Sequence, residues 1–473
     1  MTQTGSGRAI VLQLGEALRR YYDDESLAQL TALTRLQTVE EQRRHAPLGG
    51  LPAALRGVVE TALGHLAQQE KLLADVLTRR FIQRQSVAEV ARQLSYSERT
   101  VHSRQEEAIQ RLAGLLLEIE DQALAAASQE AEINRILDGL PPPTFTHLIG
   151  VGDLLETLCV YLADPEQSWL VSVEGMGGSG KTALARQTAE DLVKEGRFQR
   201  VIWITARQQS FDDGYLRQTG LPALTFSGLL EQSAARLHLP QPAGEVEAER
   251  IHNLRQALRQ TPTLLVVDNL ETAADVEALV DGLRGLARPT KVLITTRHSL
   301  AGHSDIAAFP VPALDAQAAQ TFVCRHAQER HVPALLTAHP AAIARIAALC
   351  DGNPLAMALV VGQVRYLPLE QILGDLQRAK GRSADLLGFL FHYSWLQLSP
   401  TAQRLLLHMP LLDIRGVAWQ ELAAISDVPA DSQFCQALEE LIAASLLYAG
   451  FAQGQILYSI HRLTEYFILS DLI

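Results

Sequence analysis

A glycine-rich stretch that ends in a lysine and a threonine is the part of this sequence whose residue types and spacing most clearly indicate chemistry. It runs Gly175-Met-Gly-Gly-Ser-Gly-Lys-Thr182 and fits the pattern G-x-x-x-x-G-K-[ST]. Glycines let the backbone turn its N–H groups towards phosphate oxygens, and the N-terminus of a following helix adds positive potential. We expect nucleotide contacts from Gly175, Gly177, Gly178, Ser179, Gly180, Lys181, Thr182 and Ala183.

Two of these side chains have specific predicted roles. Lys181 should reach the β- and γ-phosphates, and Thr182 should bind Mg²⁺. The flanks suit the motif, because an apolar run at 169–173 predicts a buried strand before it and residues 182–190 predict a helix after it. A chance match in a glycine turn is the simpler alternative, and these flanks make it improbable.

A second apolar run, Leu264-Leu-Val-Val-Asp-Asn-Leu270, supplies a partner for this loop. It reads as a buried strand with Asp268 at its carboxyl end, which is where ligands of open α/β sheets bind. We expect Asp268 to hold Mg²⁺ through water. Arg297 follows a third strand pattern at 291–296, and a cation there would face the terminal phosphate across from Lys181. The plainer alternative for Arg297 is a surface residue after a strand.

Strand patterns alternate with helix patterns between residues 148 and 312, which predicts an α/β core with a parallel sheet and helices on both faces. The proline-rich stretch 139–147 precedes it and cannot continue a helix, so it reads as a linker. Residues 1–138 read as helix after helix. Residues 313–399 read as a helical module, and residues 400–473 as a winged helix with a two-stranded wing.

The segment 86–120 predicts a helix-turn-helix inside the first region. Ser86-Val-Ala-Glu89 is a capping box that opens a short helix, and Ser97 caps a long second helix. This stretch is similar to region four of sigma factors and to LuxR-type regulators, which place the start of the second helix in the major groove. The resemblance implies DNA contacts from Arg99, Thr100, Ser103 and Arg104. A helical bundle that binds another protein or its own copies is nearly as well supported.

Five motifs in order resemble the NB-ARC proteins of the STAND class, whose members include plant resistance proteins and apoptotic activators. They are the glycine-rich loop, the Asp268 strand, Thr295-Thr-Arg297, Gly352-Asn-Pro-Leu-Ala356 and Ile460-His-Arg462. The resemblance covers roughly residues 148–473. It implies that Leu148, Ile149 and Pro354 lie on the adenine side of ADP or ATP and that His461 contacts the β-phosphate of ADP. It also implies that the winged helix is an internal lid on the nucleotide rather than a DNA reader.

Three positions depart from the family pattern. Val151 stands in place of an arginine, Asn269 in place of a second acid after Asp268, and Arg462 in place of an aspartate. Asn269 cannot accept a proton as a carboxylate can, so we expect slow ATP hydrolysis at most. Glu271 is close in sequence, but the alternation of side chains along the strand would turn it away from the position where a second acid is needed, so it does not substitute for that acid. The predicted catalytic end therefore comprises Lys181, Asp268, Asn269 and Arg297.

Composition sets the remaining bounds. The 473 residues carry a net charge of −12, which argues against general polyanion binding but leaves room for a local basic face. No stretch approaches a membrane span, and no apolar signal-peptide core stands at the N-terminus, so we expect a cytoplasmic protein. The four cysteines make no ligand pair and are expected to be core thiols. No repeat of 20–50 residues is found that could form a sensor array.

These observations predict a signalling switch that is closed with ADP, opens and self-associates with ATP, and clusters an N-terminal helix-turn-helix, with transcriptional regulation as the output. The alternative is a defence protein whose N-terminal bundle is a protein adaptor. An ordinary metabolic ATPase is disfavoured, because such an enzyme does not need the Gly352–Ala356 and His461 elements.

Overall fold

The computed structural model describes residues 3–45, 49–206, 224–242, 246–288, 290–380, 386–412, 416–426, 428–430, 432–452 and 454–472. The chain forms two compact units, Met1–Glu132 and Ile133–Ile473. None of the described helices combines the length and the apolar character needed to cross a membrane.

The described part of the first unit is helical. Its helices are α1 (Gln3–Arg19), α2 (Asp24–Ala28), α3 (Thr31–Thr34), α4 (Gln37–His45), α5 (Gly50–Gln69), α6 (Lys71–Leu77, extended by a π-helical turn at Thr78–Ile82), α7 (Val87–Leu94) and most of α8 (Glu98–Leu137), whose last turn belongs to the second unit. A core of leucines, valines and alanines from α1, α5 and α8 holds it together. Glu120 of α8 is buried. Its carboxylate is compensated there by hydrogen bonds that it accepts from the backbone N–H groups of Gln37 and Thr38, at the start of α4.

Helices α7 and α8 are joined by a turn of three residues. The expected capping box is present, since Ser86 and Glu89 satisfy each other's backbone N–H groups at the start of α7. Ser95 ends α7 in the left-handed conformation, with φ of 56°. A small core of Val76, Val90, Ala91 and Val101 fixes α6, α7 and the start of α8 against one another.

A five-stranded sheet forms the centre of the second unit. Its strands are β1 (Leu170–Glu174), β2 (Arg200–Thr205), β3 (Thr263–Asp268), β4 (Lys291–Thr296) and β5 (Ile306–Pro310), in the spatial order β2-β3-β4-β1-β5. Every pairing in this sheet is parallel. The predicted parallel α/β core of the phosphate-loop type is therefore confirmed.

Both faces of the sheet are buried. Successive residues of a strand point to opposite sides, so one strand contributes side chains to the apolar clusters on both faces. On β3, Leu265 and Val267 join one apolar cluster while Leu264 and Val266 join another. The helices of this region are α9 (Gly152–Ala163), α10 (Lys181–Lys194), α11 (Phe226–Arg236), α12 (Glu247–Arg259) and α13 (Val276–Leu286). The carboxyl ends of the strands are thus held in fixed positions at one edge of a rigid sheet.

The C-terminal half continues with helices and a small antiparallel sheet. The helices are α14 (Ala316–Glu329), α15 (Pro333–Leu336), α16 (Pro340–Leu349), α17 (Pro354–Gln363), α18 (Leu369–Lys380), α19 (Leu386–Leu396), α20 (Pro400–His408), α21 (Trp419–Ser426), α22 (Ser432–Ala443) and α23 (Arg462–Phe467). The sheet is β6 (Val417–Ala418), β8 (Gln455–Ser459) and β7 (Tyr448–Ala452), in that spatial order. Buried residues from Ala319 to Ile468 form one continuous apolar core.

The expectation that all four cysteines are core thiols is wrong. Cys350 is buried and Cys159 is half-buried, but Cys324 and Cys435 are exposed. Both exposed thiols lie on amphipathic helices, α14 and α22, on the face turned away from the core. None of the four forms a disulfide.

Candidate functional site

The glycine-rich stretch forms a loop between β1 and α10, in the place that the sequence indicates. Gly178 and Gly180 have φ of 78° and 94°, a region that favours glycine. A Cβ atom on Gly178 would lie 2.8 Å from Cβ of Leu355 and 2.9 Å from Oδ1 of Asn353. Gly178 is therefore required both for its backbone conformation and for the close approach of the segment that starts α17.

Lys181 is folded back into its own loop. Its side chain is buried, and its Nζ donates hydrogen bonds of 2.8 Å to the carbonyl oxygens of Gly175 and Met176. Burial lowers the pKa of Lys181 from 10.5 to about 8, and Arg297 adds to this, whereas the carboxylates of Glu271 and Asp268 oppose it. The ammonium is thus held against the backbone of the loop, and phosphate oxygens bound there would stabilise its charge.

The expected Mg²⁺ residues lie together. The Thr182 hydroxyl donates to Oδ1 of Asp268 at 2.8 Å, and the Thr295 hydroxyl donates to the same oxygen at 2.6 Å. Oδ2 of Asp268 accepts from the Asn269 side-chain amide at 2.8 Å. One hydroxyl and one carboxylate suit Mg²⁺, which usually takes few protein ligands and completes its shell with phosphate and water. No cluster of three or more His, Cys, Asp or Glu suited to a metal occurs among the described residues.

Arg297 also lies at the loop, and it has a carboxylate partner. Its Nε is 3.1 Å from Oε1 of Glu271, and its backbone N–H donates to Oε2 of the same residue at 3.2 Å. The guanidinium carbon would be 3.4 Å from a Cβ placed on Gly177. The sequence did not assign Glu271 to the site, whereas the structure brings its carboxylate to the two cations, Arg297 and Lys181.

Asn353 is a second residue that the sequence did not single out. Its side-chain amide donates to the carbonyl oxygen of Gly177 at 2.8 Å, and its Oδ1 accepts from the backbone N–H groups of Leu355 and Ala356. Asn353 is therefore both the N-cap of α17 and a direct clamp on the phosphate loop. The signal available in the sequence was an asparagine before a proline, which is typical of a helix start.

A cavity of about 740 Å³ joins these groups. Its wall includes most of the predicted nucleotide residues, namely Leu148, Ile149, Gly177, Gly178, Ser179, Gly180, Lys181, Thr182, Ala183, Asp268, Asn269, Arg297, Pro354 and His461. Gly175 lies behind the wall and accepts the hydrogen bond from Lys181. The buried Ser179 hydroxyl has no hydrogen-bond partner, so the loop retains an unused donor of the kind that phosphate oxygens accept.

His461 enters the cavity from the residue before α23. Its Nδ1 accepts the backbone N–H of Leu463 at 3.1 Å and so caps that helix. In a neutral ring this acceptor role leaves the proton on Nε2, as assigned from the hydrogen-bond geometry. His461 is thus a structural cap as well as a lining residue, whereas the side chain of Arg462 lies outside the described part of the chain.

The proline-rich linker is part of the same wall. The Nε of Arg186, on α10, donates to the carbonyl oxygen of Pro141 at 2.7 Å. On the other side, Cβ positions at Gly450 and Gly416 would lie 3.4 Å from the carbonyl oxygen of Pro143 and 3.5 Å from the Pro142 ring. The linker therefore touches both the phosphate-loop helix and the small C-terminal sheet.

The residues predicted to face DNA lie at the start of α8. Arg99, Ser103 and Arg104 are exposed, and Thr100 is half-buried. Ser97 caps the helix by accepting the Thr100 N–H at 3.1 Å, and its hydroxyl is 2.8 Å from that of Thr100. Arg104 is paired with Glu107 at 2.8 Å. Three of the four side chains are thus accessible, while Thr100 takes part in the cap.

Comparison with known proteins agrees with the nucleotide-binding core. Residues 151–332 match the model of the NB-ARC domain family. Two probable disease resistance proteins of Arabidopsis thaliana are 28% identical over 159 residues and 29% identical over 149 residues, which is 33% and 32% of this chain. The matched segments span only 16% and 15% of the length of those relatives.

Among solved structures, a STAND protein with a tetratricopeptide repeat sensor from Pyrococcus horikoshii is similar to this chain. The TM-score is 0.46 and the identity is 16%, over 70% of this chain and 44% of the other.

Proposed function

We propose that this protein is a nucleotide-operated switch of the STAND class, which binds ADP in a closed state and opens when ATP replaces it. The single observation that carries the proposal is the composition of the cavity wall. The linker, the phosphate loop, the start of α17 and the residue before α23 all contribute to one cavity. A nucleotide bound there would contact segments that lie far apart in the sequence, so its γ-phosphate can bias how they assemble.

The chain's own residues supply the binding chemistry. Lys181 would balance the charge of the β- and γ-phosphates, while Thr182 and Asp268 would hold Mg²⁺, which supplies further positive charge when it is bound. Pro354, Leu148 and Ile149 offer an apolar surface for the base. His461 would donate from Nε2 to the β-phosphate of ADP in the closed state, so ADP and closure would stabilise each other. With Asn269 beside Asp268, ATP hydrolysis would be slow.

The experiment is a comparison of nucleotide binding and molecular size. Calorimetry on the full chain should give binding of ADP and of a non-hydrolysable ATP analogue, and Lys181→Ala should abolish both. Light scattering should show a larger species with the ATP analogue than with ADP. Exposed Lys194, which lies on the same helix α10, provides a matched control as Lys194→Ala. Unchanged ADP affinity in Lys181→Ala would remove the basis of the proposal.

For the N-terminal unit we propose a helix-turn-helix output that binds duplex DNA, because Arg99, Ser103 and Arg104 are exposed at the start of α8. The competing function is a protein adaptor in defence, which is supported by the names of the Arabidopsis thaliana relatives. The Arg104–Glu107 pair favours the adaptor, since it offsets one of the two arginine charges.

DNA binding by the full chain over a salt series separates these two functions. Arg99→Ala and Arg104→Ala should each weaken binding, and loss of one phosphate contact should reduce the salt slope by about one unit. Arg111→Ala is the matched control, because Arg111 lies further along α8 and pairs with Glu70. Absence of duplex binding at low salt, with or without ATP, would favour the adaptor.

A further inference from the structure

The pair formed by Arg297 and Glu271 occupies the phosphate end of the cavity in an unusual way. Glu271 lies in a single 3₁₀ turn, Leu270–Thr272, directly after the Asp268 strand. Its side chain is only 7% exposed, its Oε1 forms an ion pair with Nε of Arg297 at 3.1 Å, and its Oε2 accepts a hydrogen bond from the backbone N–H of Arg297 at 3.2 Å. An ion pair and a backbone hydrogen bond to the same carboxylate hold Arg297 beside Glu271.

The charges at this end are nearly balanced without a nucleotide. Two cations, Lys181 and Arg297, face two carboxylates, Asp268 and Glu271. Asp268 is committed to Thr182, Thr295 and the amide of Asn269. Glu271 therefore differs from Asp268, because the partner that it holds is the cation expected to face the terminal phosphate.

We propose that Glu271 is the residue that makes this cavity prefer a nucleoside diphosphate to a triphosphate. The inference rests on the proposed nucleotide function. With ADP bound, Arg297 can remain paired with Glu271, and no γ-phosphate is present that needs a cation. With ATP, Arg297 must leave Glu271 to reach the γ-phosphate, or stay and leave that phosphate uncompensated beside a carboxylate. Either arrangement costs free energy that ADP does not incur, because the Glu271 side chain is almost fully buried and its carboxylate is poorly compensated by water, while the 44% exposure of Arg297 limits the size of that cost.

The preference has a use in a switch. A protein that holds ADP until it is triggered must resist the triphosphate, and a single buried carboxylate provides such resistance without blocking the cavity. A purely structural role for the pair, in which Glu271 only fixes the turn after β3, is the competing explanation. If Glu271 sets the nucleotide preference, its negative charge is the property that matters. If it only fixes the turn after β3, the length of its side chain matters instead.

The test measures the affinities of the full chain for ADP and for a non-hydrolysable ATP analogue, by calorimetry with Mg²⁺ present. Glu271→Gln keeps the shape and one acceptor for the Arg297 N–H but removes the charge. Glu271→Asp keeps the charge but shortens the reach. Glu249→Gln removes the charge of an exposed glutamate on α12 and is the matched control.

We expect Glu271→Gln to raise the affinity for the ATP analogue relative to ADP by roughly tenfold to a hundredfold, the range for one charge interaction in a partly shielded site. Glu271→Asp and Glu249→Gln should leave the ratio close to that of the unmodified protein. An unchanged ratio in Glu271→Gln, or equal shifts in the Gln and Asp variants, would overturn the inference while leaving the switch intact. An unmodified protein that binds neither nucleotide would overturn both.

Discussion

The side-chain amide of Asn353 donates a hydrogen bond to the carbonyl oxygen of Gly177, 176 residues earlier in the chain, at 2.8 Å. The same side chain caps α17 through its Oδ1, which accepts from the N–H groups of Leu355 and Ala356. One asparagine thus connects the conformation of the phosphate loop to the start of a helix in the C-terminal half. A contact of this kind can be tested with variants that separate its two functions.

Replacing Asn353 by Asp should loosen the nucleotide without unfolding the helix. A carboxylate still caps α17, but it cannot donate to Gly177 and it adds negative charge at the phosphate loop. Asn353→Ala should lose both functions and reduce the free energy of unfolding by about 1 kcal/mol more than Asn353→Asp does. Chemical unfolding and calorimetry measure the two effects.

Asp275→Ala serves as the control for these variants, because Asp275 caps α13 by accepting from Ala278 and does not line the cavity. It should lower stability and leave ADP affinity unchanged. Full ADP affinity in Asn353→Asp would mean that the bond to Gly177 has no part in binding.

The depressed pKa of Lys181 should give nucleotide affinity and protein stability opposite dependences on pH. Between pH 8 and 10.5 the free folded protein loses this proton while the unfolded chain keeps it, so the free energy of unfolding should rise with pH. Phosphates raise the pKa again in the complex, so ADP affinity should fall over the same window, by up to about tenfold per pH unit. Binding and unfolding titrations from pH 7 to 10.5 check both signs.

Lys291 provides the matched control for the pH experiment. Burial also lowers the pKa of Lys291, but its Nζ donates hydrogen bonds to the carbonyl oxygens of Asp164, Gln167 and Ser168, and Lys291 does not line the cavity. Lys291→Met should therefore change the slope of stability with pH and leave the slope of ADP affinity intact. A pH-independent ADP affinity would contradict the assignment of Lys181.

Asn269→Asp should raise the rate of ATP hydrolysis by about tenfold or more. The new carboxylate would replace the amide that now donates to Asp268 at 2.8 Å, and two adjacent carboxylates raise the pKa of the pair. A carboxylate with a raised pKa is a better base for the attacking water. Single-turnover phosphate release measures the rate.

Asn269→Gly is the appropriate comparison, because residue 269 has φ of 62° and glycine adopts that conformation without strain. It removes the amide and supplies no base, so it should not accelerate hydrolysis. Equal acceleration in the Gly and Asp variants would show that loss of the amide, rather than the added carboxylate, is responsible.

His461 should contribute both to ADP binding in the closed state and to the N-cap of α23. His461→Asn retains a good N-cap for α23 but is too short to replace Nε2, so ADP should dissociate faster, roughly 5- to 150-fold, with nearly unchanged stability. His461→Ala should release ADP similarly and also lower the free energy of unfolding by about 1 kcal/mol. Dissociation of a fluorescent ADP and thermal unfolding give the two readouts. An ADP dissociation rate in His461→Asn equal to that of the unmodified protein would make His461 only a cap.

Local patterns predicted the parallel sheet and the phosphate loop because both depend on short runs of sequence. The strand before the loop, the Asp268 strand and the strand before Arg297 are apolar, β-branched runs with clear ends. Strand β5 was not predicted, because Ile306-Ala-Ala-Phe-Pro310 has few residues that favour strands and forms only at the sheet edge, against β1.

The contacts of Glu271 and Asn353 could not be predicted for a different physical reason. The phase of Glu271 was counted as if the strand continued, but Asn269 adopts a left-handed conformation that turns the chain and changes the direction of the following side chains. The bond from Asn353 to Gly177 joins distant segments, and no local pattern encodes it. The sequence indicates a helix start at Asn353, but it does not indicate the hydrogen bond from Asn353 to Gly177.

The linker that passes along the cavity has a mechanical consequence. Pro141, Pro142 and Pro143 have no backbone N–H, and the contacts that hold this linker include the Arg186 bond to Pro141 and packing against Gly416 and Gly450. Displacing these prolines leaves none of their backbone N–H groups unpaired, because they have none, but it exposes the buried ring of Pro142. Three prolines in a row are also stiff, with φ fixed near −65°. A displacement at Gly450, which contacts Pro143, would therefore be transmitted along the three prolines to Pro141 and so to Arg186 on α10, instead of being absorbed by bending.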